Sequence, residues 1–428
     1  MPSSQLNTEE VFEDKATVDA ALSSIYADMR DGSIVSDLSY NLGLYADELD
    51  LYGMGTTNAS EFYENALTPA DSKVKSWWNS SYFLIYSANS IIENIEISSQ
   101  IKKEDSDQIK GEALFVRAFL HYNLSLLYGN IPYITTTNYI KNLDTHKSTE
   151  AEILKAAEQD LIEAISLLPM AYLNPDRTRP NRAVAMMLLS RICRDTKNWS
   201  KVIELTTAII EQTDLYTWEN MLDHVFLKES RSTLWQWYPK FDGNNTTDGN
   251  LFIFTTNPPS NVALNQNLVD SFEQQDFRLS HWIQAVTDDL GTWYHPFKYK
   301  EKGSSEPTRE YAVVFRLAEA YLIRSEARAE LGNIEGALLD INQIRNRAGL
   351  GDLNTLDKES LLSSILEERR HELFTESGHR FFDLKRNQII NEVLNPIKPG
   401  WDATDQLLPI PQEELELNPN LEPQNPGY

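Results

Sequence analysis

The feature that most constrains this chain is a helix–turn–helix unit that occurs twice. Ala183 to Thr196 has helical periodicity, Lys197-Asn198 is a short polar turn, and Trp199 to Glu211 is a second helical stretch. Phe315 to Leu331, Gly332-Asn333 and Ile334 to Arg347 have the same layout. At an offset of 135 residues, Ser325 falls on Ser190, Asn333 on Asn198, Ile334 on Trp199 and Ala337 on Val202. Small residues at the crossing let two paired helices approach closely.

Helix, tight polar turn, helix with small crossing residues is the tetratricopeptide design. The rest of the chain is also largely helical. Val18 to Met29 places Ala21, Leu22, Ile25, Tyr26 and Met29 on one face, and Trp77 to Ile97 repeats the habit. Ala113 to Leu127 follows, stopped by Gly129 and Pro132, then Ala151 to Leu168, ended by Pro169. Lys358 to Glu376 is a further helix, with Gly378 placed to end it. Between the two repeat units the character changes. Leu234 to Tyr238 reads as a strand, Leu251 to Thr255 as a short extended piece, and Trp293 to Lys300 as another strand. Residues 241–267 are rich in Asn, Thr, Pro and Gly, and a loop that long on a helical scaffold is often functional. The Pro-rich tail from Asn395 reads as extended coil over the surface.

Composition narrows the function. With 38 Lys plus Arg against 64 Asp plus Glu, the net charge of −26 repels phosphate backbones, so no nucleic acid partner is expected. It also discourages approach to an anionic membrane and suits a neutral or cationic ligand. The single cysteine, Cys193, sits in an apolar run and reads as a core residue, which excludes an internal disulfide and a cysteine metal cluster. Met1-Pro2-Ser3-Ser4 leads into polar residues and carries no signal-peptide pattern, and no apolar stretch reads as a membrane span.

The densest charged stretch runs from Ile365 to Arg386. His371-Glu372 is half of a zinc motif, but Thr375 stands where the second His is needed, so no metal is assigned. Glu372, Glu376 and Asp383 are candidate paired carboxylates for glycoside hydrolysis. Their arginine neighbours Arg369 and Arg380 favour an ion-pair network joining helix to turn instead. No catalytic residue and no cofactor are therefore assigned. Asp47, Glu48 and Asp50 lack the spacing of a known calcium loop and read as a solvated acidic loop.

The same stretch, with Glu368-Arg369, Glu372-Leu373, Glu376, Gly378-His379-Arg380 and Asp383 to Arg386, resembles the C-terminal signature of the SusD/RagB family. Gly111 to Ala118 followed by Tyr128 to Pro132, Arg316 to Ala327, and Leu408 to Pro411 with Asn418-Pro419 and Gln424 to Tyr428 also sit where that family has them. The resemblance covers nearly the whole chain in the right order. Two departures stand out: Ser377 intervenes between the second Glu and the Gly, and the family's N-terminal lipoprotein cysteine is absent. The resemblance implies one mostly α SusD-like domain over residues 1–428. It would be a tetratricopeptide-like helix-pair scaffold (about 183–211 and 315–347) with an irregular loop-rich half, a ligand-side insertion at about 234–300 and a few short strands. It further implies a non-catalytic, lipid-anchored outer-membrane protein at the cell surface, acting in nutrient uptake and polysaccharide utilisation. Such a protein captures glycan and delivers it to a SusC-like TonB-dependent transporter. The alternatives are a peptide-binding member of the family and a general tetratricopeptide protein-interaction scaffold.

Sugar rings stack their C–H faces on aromatics while amides and carboxylates bind the hydroxyls. Three groups outside the strong helices offer both. They supply the candidate ligand contacts Tyr45, Asp50, Tyr52 and Phe62; Trp235, Trp237, Tyr238 and Asn244; and Trp293 and Tyr294. Trp77, Trp78 and Trp199 lie within helical patterns and read as core.

Overall fold

The computed structural model describes residues 12–53, 55–354 and 357–428. Among the described residues, the helices of eight residues or more are α1 (Lys15–Gly32), α2 (Leu38–Tyr45), α3 (Ser72–Ile95), α4 (Lys103–Tyr128), α5 (Glu150–Leu167) and α6 (Arg182–Asp195). They continue with α7 (Trp199–Ile210), α8 (Leu317–Glu330), α9 (Ile334–Arg347), α10 (Lys358–Leu373) and α11 (His379–Arg386). The long ones stack as successive neighbours: α1 on α3, then α4, α5, α6, α7, α8 and α9 in turn, with α10 against α8 and α9. A one-dimensional stack of this kind buries each helix between its neighbours. The α7–α8 contact closes although residues 211–316 intervene in sequence. No described helix is long and apolar enough to cross a membrane.

Local chemistry explains the breaks. Acidic Glu104 and Asp105 open α4, opposing the positive end of its dipole, and Gly129 at φ +72° ends it. Thr149 and Glu152 form a reciprocal capping box on α5. The two repeat turns match closely. Asn198 accepts a hydrogen bond from the Lys201 amide at 3.4 Å, and Asn333 from the Gly336 amide at 2.9 Å, each capping the second helix of its pair. Ser325 at the α8–α9 crossing donates to the Ala337 carbonyl at 2.8 Å, so close helix approach is fixed by a buried hydrogen bond.

Strands are few. β1 (Leu49–Leu51) pairs antiparallel with β3 (Val262–Leu264), Asp50 opposite Ala263. β2 (Thr233–Trp237) pairs with β6 (Ala312–Arg316) with register shifts around Trp235. β4 (Ile283–Asp288) and β5 (Gly291–Pro296) form a hairpin, Val286 opposite Trp293.

Several boundaries differ from the sequence reading. Leu251 to Thr255 is not an extended piece: Thr246 caps a short helix, Thr247–Phe252, through the Gly249 amide. Phe315 belongs to β6, so α8 starts at Leu317. Helix α10 stops at Leu373, and Gly378, at φ +69°, opens α11 instead of ending α10. A side chain at 378 would meet Leu42 Cδ1 at 2.3 Å, which only glycine avoids. Nor does the tail lie over the surface. Trp401, Leu408, Ile410 and Leu421 are buried, the Leu408 amide donates to the Leu127 carbonyl at 2.7 Å, and Asn425 donates to the Tyr128 and Leu408 carbonyls.

Candidate functional site

The acidic motif of α10 and α11 is a closed ion-pair network. Glu372 meets Arg278 at 3.3 Å and Arg316 at 2.5 Å, and also pairs with Arg347; all four groups are buried. Glu376 is held by Arg316 at 2.7 Å and Lys298 at 2.5 Å, and Asp383 by Arg369 at 2.7 Å. Burial alone would raise the carboxyls of Glu372 and Glu376, but the surrounding cations hold both below the usual carboxylate range. A carboxylate held in the ionised state cannot serve as a general acid, so the cluster lacks the protonated partner that hydrolysis by paired carboxylates needs.

The acidic loop is likewise not solvated. Asp47 is buried and bonded bidentately by Arg380 at 2.8 and 2.7 Å, and Glu48 is buried and accepts from the Thr375 amide at 3.2 Å. Among the described residues, no group of three or more His, Cys, Asp or Glu is placed to hold a metal ion.

Three of the expected ligand contacts are core residues, and a fourth, Trp237, is buried against them while also lining a cleft. Tyr45 is fully buried among Phe62, Phe381 and Trp401, and its hydroxyl donates to the Asp405 carbonyl at 3.1 Å. Phe62 packs on Trp77. Trp235 lies under Tyr26, Phe115, Phe119 and Trp237. Each fails for the same reason: in sequence it borders a loop, but its ring fills the space between helices. Trp77 and Trp78 are core as expected, and Trp199 packs partly buried against it.

The other candidates, Asn244 apart, fall at two surfaces. The first is organised by β3, which pairs with β1 on one side and lies against β5. It holds Asp50 and Tyr52 from one end of the chain and lies against the strand that carries Trp293 and Tyr294, whose side chains alternate across that strand; all four are half-buried. The Asn265 amide donates to Asp50 at 2.9 Å. Tyr52 is fixed by its backbone, whose amide donates to the Asn261 carbonyl at 2.6 Å. Next comes Gly53 at φ +66°, where a side chain would strike the Ser260 carbonyl oxygen at 2.6 Å, so the loop closes tightly onto the 260s segment. Trp293 lies over Gly291 at the hairpin tip, beyond which Leu290 is exposed.

Sequence reasoning missed three members of this face. Tyr63 is half-buried, and its hydroxyl is pushed up by burial and by neighbouring Asp50 and Tyr52. Lys398 sits 4.2 Å over the Tyr63 ring and donates to the Leu44 carbonyl at 2.6 Å. Burial pushes its ammonium down to about 8, against the opposite pull of Asp50 and Asp47. Asn265 is the third. Only the chain's return at residues 261–265 and 398 unites these groups, and no local pattern announces it.

The second surface is a cleft of about 250 Å³ lined by Tyr26, Arg30, Asn174, Arg179, Trp237 and Tyr238. Arg30 donates to the Tyr238 carbonyl at 2.7 Å, and the Tyr238 hydroxyl to Asp242 at 2.9 Å. The buried Asn174 side-chain oxygen has no hydrogen-bond partner among the described residues. Asn244 is not part of either surface: it pairs with Ser304, bonding its hydroxyl at 3.0 Å, and closes a loop.

This chain is similar throughout its length to known proteins. The SusD-like_3 family, described as starch-binding associating with outer membrane, matches residues 1–193, and the SusD_RagB family, described as the SusD family, matches residues 228–428. SusD-like protein P2 of Formosa agariphila is 26% identical, covering 99% of this chain and 94% of that protein. A crystal structure of a SusD superfamily protein from Bacteroides vulgatus superposes with a TM-score of 0.86 at 20% identity, covering 97% of this chain and 99% of the other. A structure named as a laminarin binding SusD-like protein superposes with a TM-score of 0.80 at 21% identity, covering 96% and 99%.

Proposed function

The chain belongs to the SusD/RagB family, and from that footing we propose that it is a non-catalytic cell-surface protein that binds glycan and passes it to a TonB-dependent outer-membrane transporter. The observation that carries the reading is the face around β3. There half-exposed Tyr52 and Tyr63 stand beside Asp50 and Asn265, the pairing of stacking rings and hydroxyl-binding groups that sugars require, and β5, packed against β3, carries Trp293. The description of the matching family as starch-binding and associated with the outer membrane supports both the ligand class and the location. Locking of Glu372 and Glu376 by arginines and a lysine supports binding over hydrolysis. Held by a lipid anchor beside a transporter mouth, such a protein needs only modest affinity, because tethering raises the effective concentration of ligand there.

The test is calorimetry against neutral oligosaccharides, acidic oligosaccharides and mixed peptides, with product analysis of each mixture. Laminarin heads the panel, since one neighbour in fold is named for binding it. Saturable binding of an intact neutral glycan is expected, weakened about tenfold by Tyr52→Ala or Trp293→Ala. Tyr238→Ala separates the two surfaces: loss there, with no effect at Tyr52 and Trp293, moves the site to the cleft. Cleaved ligand overturns the non-catalytic reading.

A further inference from the structure

A groove of about 410 Å³ lies between α3, the 132–143 segment and the C-terminal tail, and shares no residue with the β3 face. Its walls are Trp78, Tyr82 and Tyr86 from α3, Tyr139 and Leu143 from the short helix Tyr139–Leu143, and Leu417 from the tail helix Gln412–Leu417. The rings are firmly set. Trp78 and Tyr82 are 5.0 Å apart, Trp78 rests edge-on against buried Tyr128, and the Tyr82 hydroxyl donates to the Pro132 carbonyl at 2.8 Å. The outer wall is open, with Tyr139 67% and Tyr86 48% exposed.

One charge lines this apolar space. Glu414 is half-buried beside Trp78 and Tyr82, and among the described residues it has no ion-pair partner. The nearby Lys75 pairs with Glu413 at 2.6 Å instead. Burial pushes the Glu414 carboxyl up and the Glu413 charge adds to it, while a hydrogen bond from Trp78 and the Lys75 charge pull the other way without forming an ion pair. An unpaired carboxylate costs least when a cation approaches it, and aromatic faces attract the same cation through their quadrupoles. The volume falls in the range of small-molecule sites, roughly 300–1,000 Å³.

We propose that this groove binds a small alkylated ammonium compound, its charge facing Glu414 and its methyl groups lying against the rings of Trp78, Tyr82, Tyr86 and Tyr139. The ligand class is set by three things together: one carboxylate that no cation pairs among the described residues, rings that tolerate methyl groups better than a hydrated ammonium, and a cavity of small-molecule size.

Choline is the probe, titrated by calorimetry into the full chain. Its neutral isostere 3,3-dimethylbutan-1-ol serves as the control, and a short lysine-rich peptide as the competing occupant. Saturable choline binding is expected, with the neutral alcohol at least about tenfold weaker. Glu414→Gln and Tyr139→Ala should each weaken choline about tenfold. Tyr139 is exposed, so its variant leaves folding intact, and unfolding midpoints verify this for both. The proposal is overturned if choline does not saturate, if the alcohol binds equally well, or if Glu414→Gln changes nothing. It is also overturned if the peptide binds where choline does not.

Discussion

At the scale of residues, Asp47 and Glu48 are adjacent carboxyls with opposite fates. Both are buried, but Arg380 and Arg370 hold Asp47 down, whereas burial and the Asp47 charge push Glu48 up to about 7. Glu48 therefore carries a proton in the folded protein at pH values where the unfolded chain has released it. Its contribution to stability is full below about pH 4 and is lost as pH rises through 7. Glu48→Gln keeps an acceptor for the Thr375 amide and removes the titration. Urea unfolding should show the variant close to wild type at pH 4 and more stable at pH 8, by about 3 kcal/mol. The opposite ordering would refute this account. Residue type alone does not separate such cases. Tyr45 and Tyr52 are both aromatics beside acidic residues, yet Tyr45 is core and Tyr52 half-exposed. Helix α2 is buried almost throughout, so it shows no amphipathic stripe to mark Tyr45 as interior.

At the scale of elements, the paired helices were legible because their periodicity and caps are local. Asn198 and Asn333, aligned from sequence alone, make the same capping bond, and Ile334–Arg347 was delimited to the residue. The turns differ one position earlier, where Lys197 at φ +59° occupies the left-handed conformation that Gly332 takes at φ +79°. A lysine there is strained by its Cβ. Lys197→Gly is thus expected to stabilise the first pair by about 0.5–1 kcal/mol, read as a raised Tm, and Gly332→Lys to do the reverse. Strand pairings escape such reasoning. β1 meets β3 more than two hundred positions later, and neither three-residue strand is long enough to show alternation. The β3 face was legible only as separate residues, Asp50 and Tyr52 among them, and illegible as a surface, since its unity depends on that pairing.

At the scale of the whole molecule, the tail is structural. Removing residues 401–428 would uncover the seats of Trp401, Leu408, Ile410 and Leu421. At about 1.5–3 kcal/mol for each large buried side chain, the loss approaches the 5–15 kcal/mol that typically separates a folded domain from its unfolded state. The truncated chain should be insoluble or lack near-ultraviolet circular dichroism; a soluble, cooperatively melting product would contradict this. The bonds from Arg380 to Asp47, Lys398 to Leu44 and Tyr45 to Asp405 span 333, 354 and 360 residues. Contacts of that separation impose a timetable. While the polypeptide is being made, at roughly 5–20 residues per second, α2 waits with its apolar surface uncovered for tens of seconds until the last segment emerges. The first helices laid down are among the last to be sealed, and until then the growing chain offers a partly open core to whatever chaperone or sticky neighbour reaches it first.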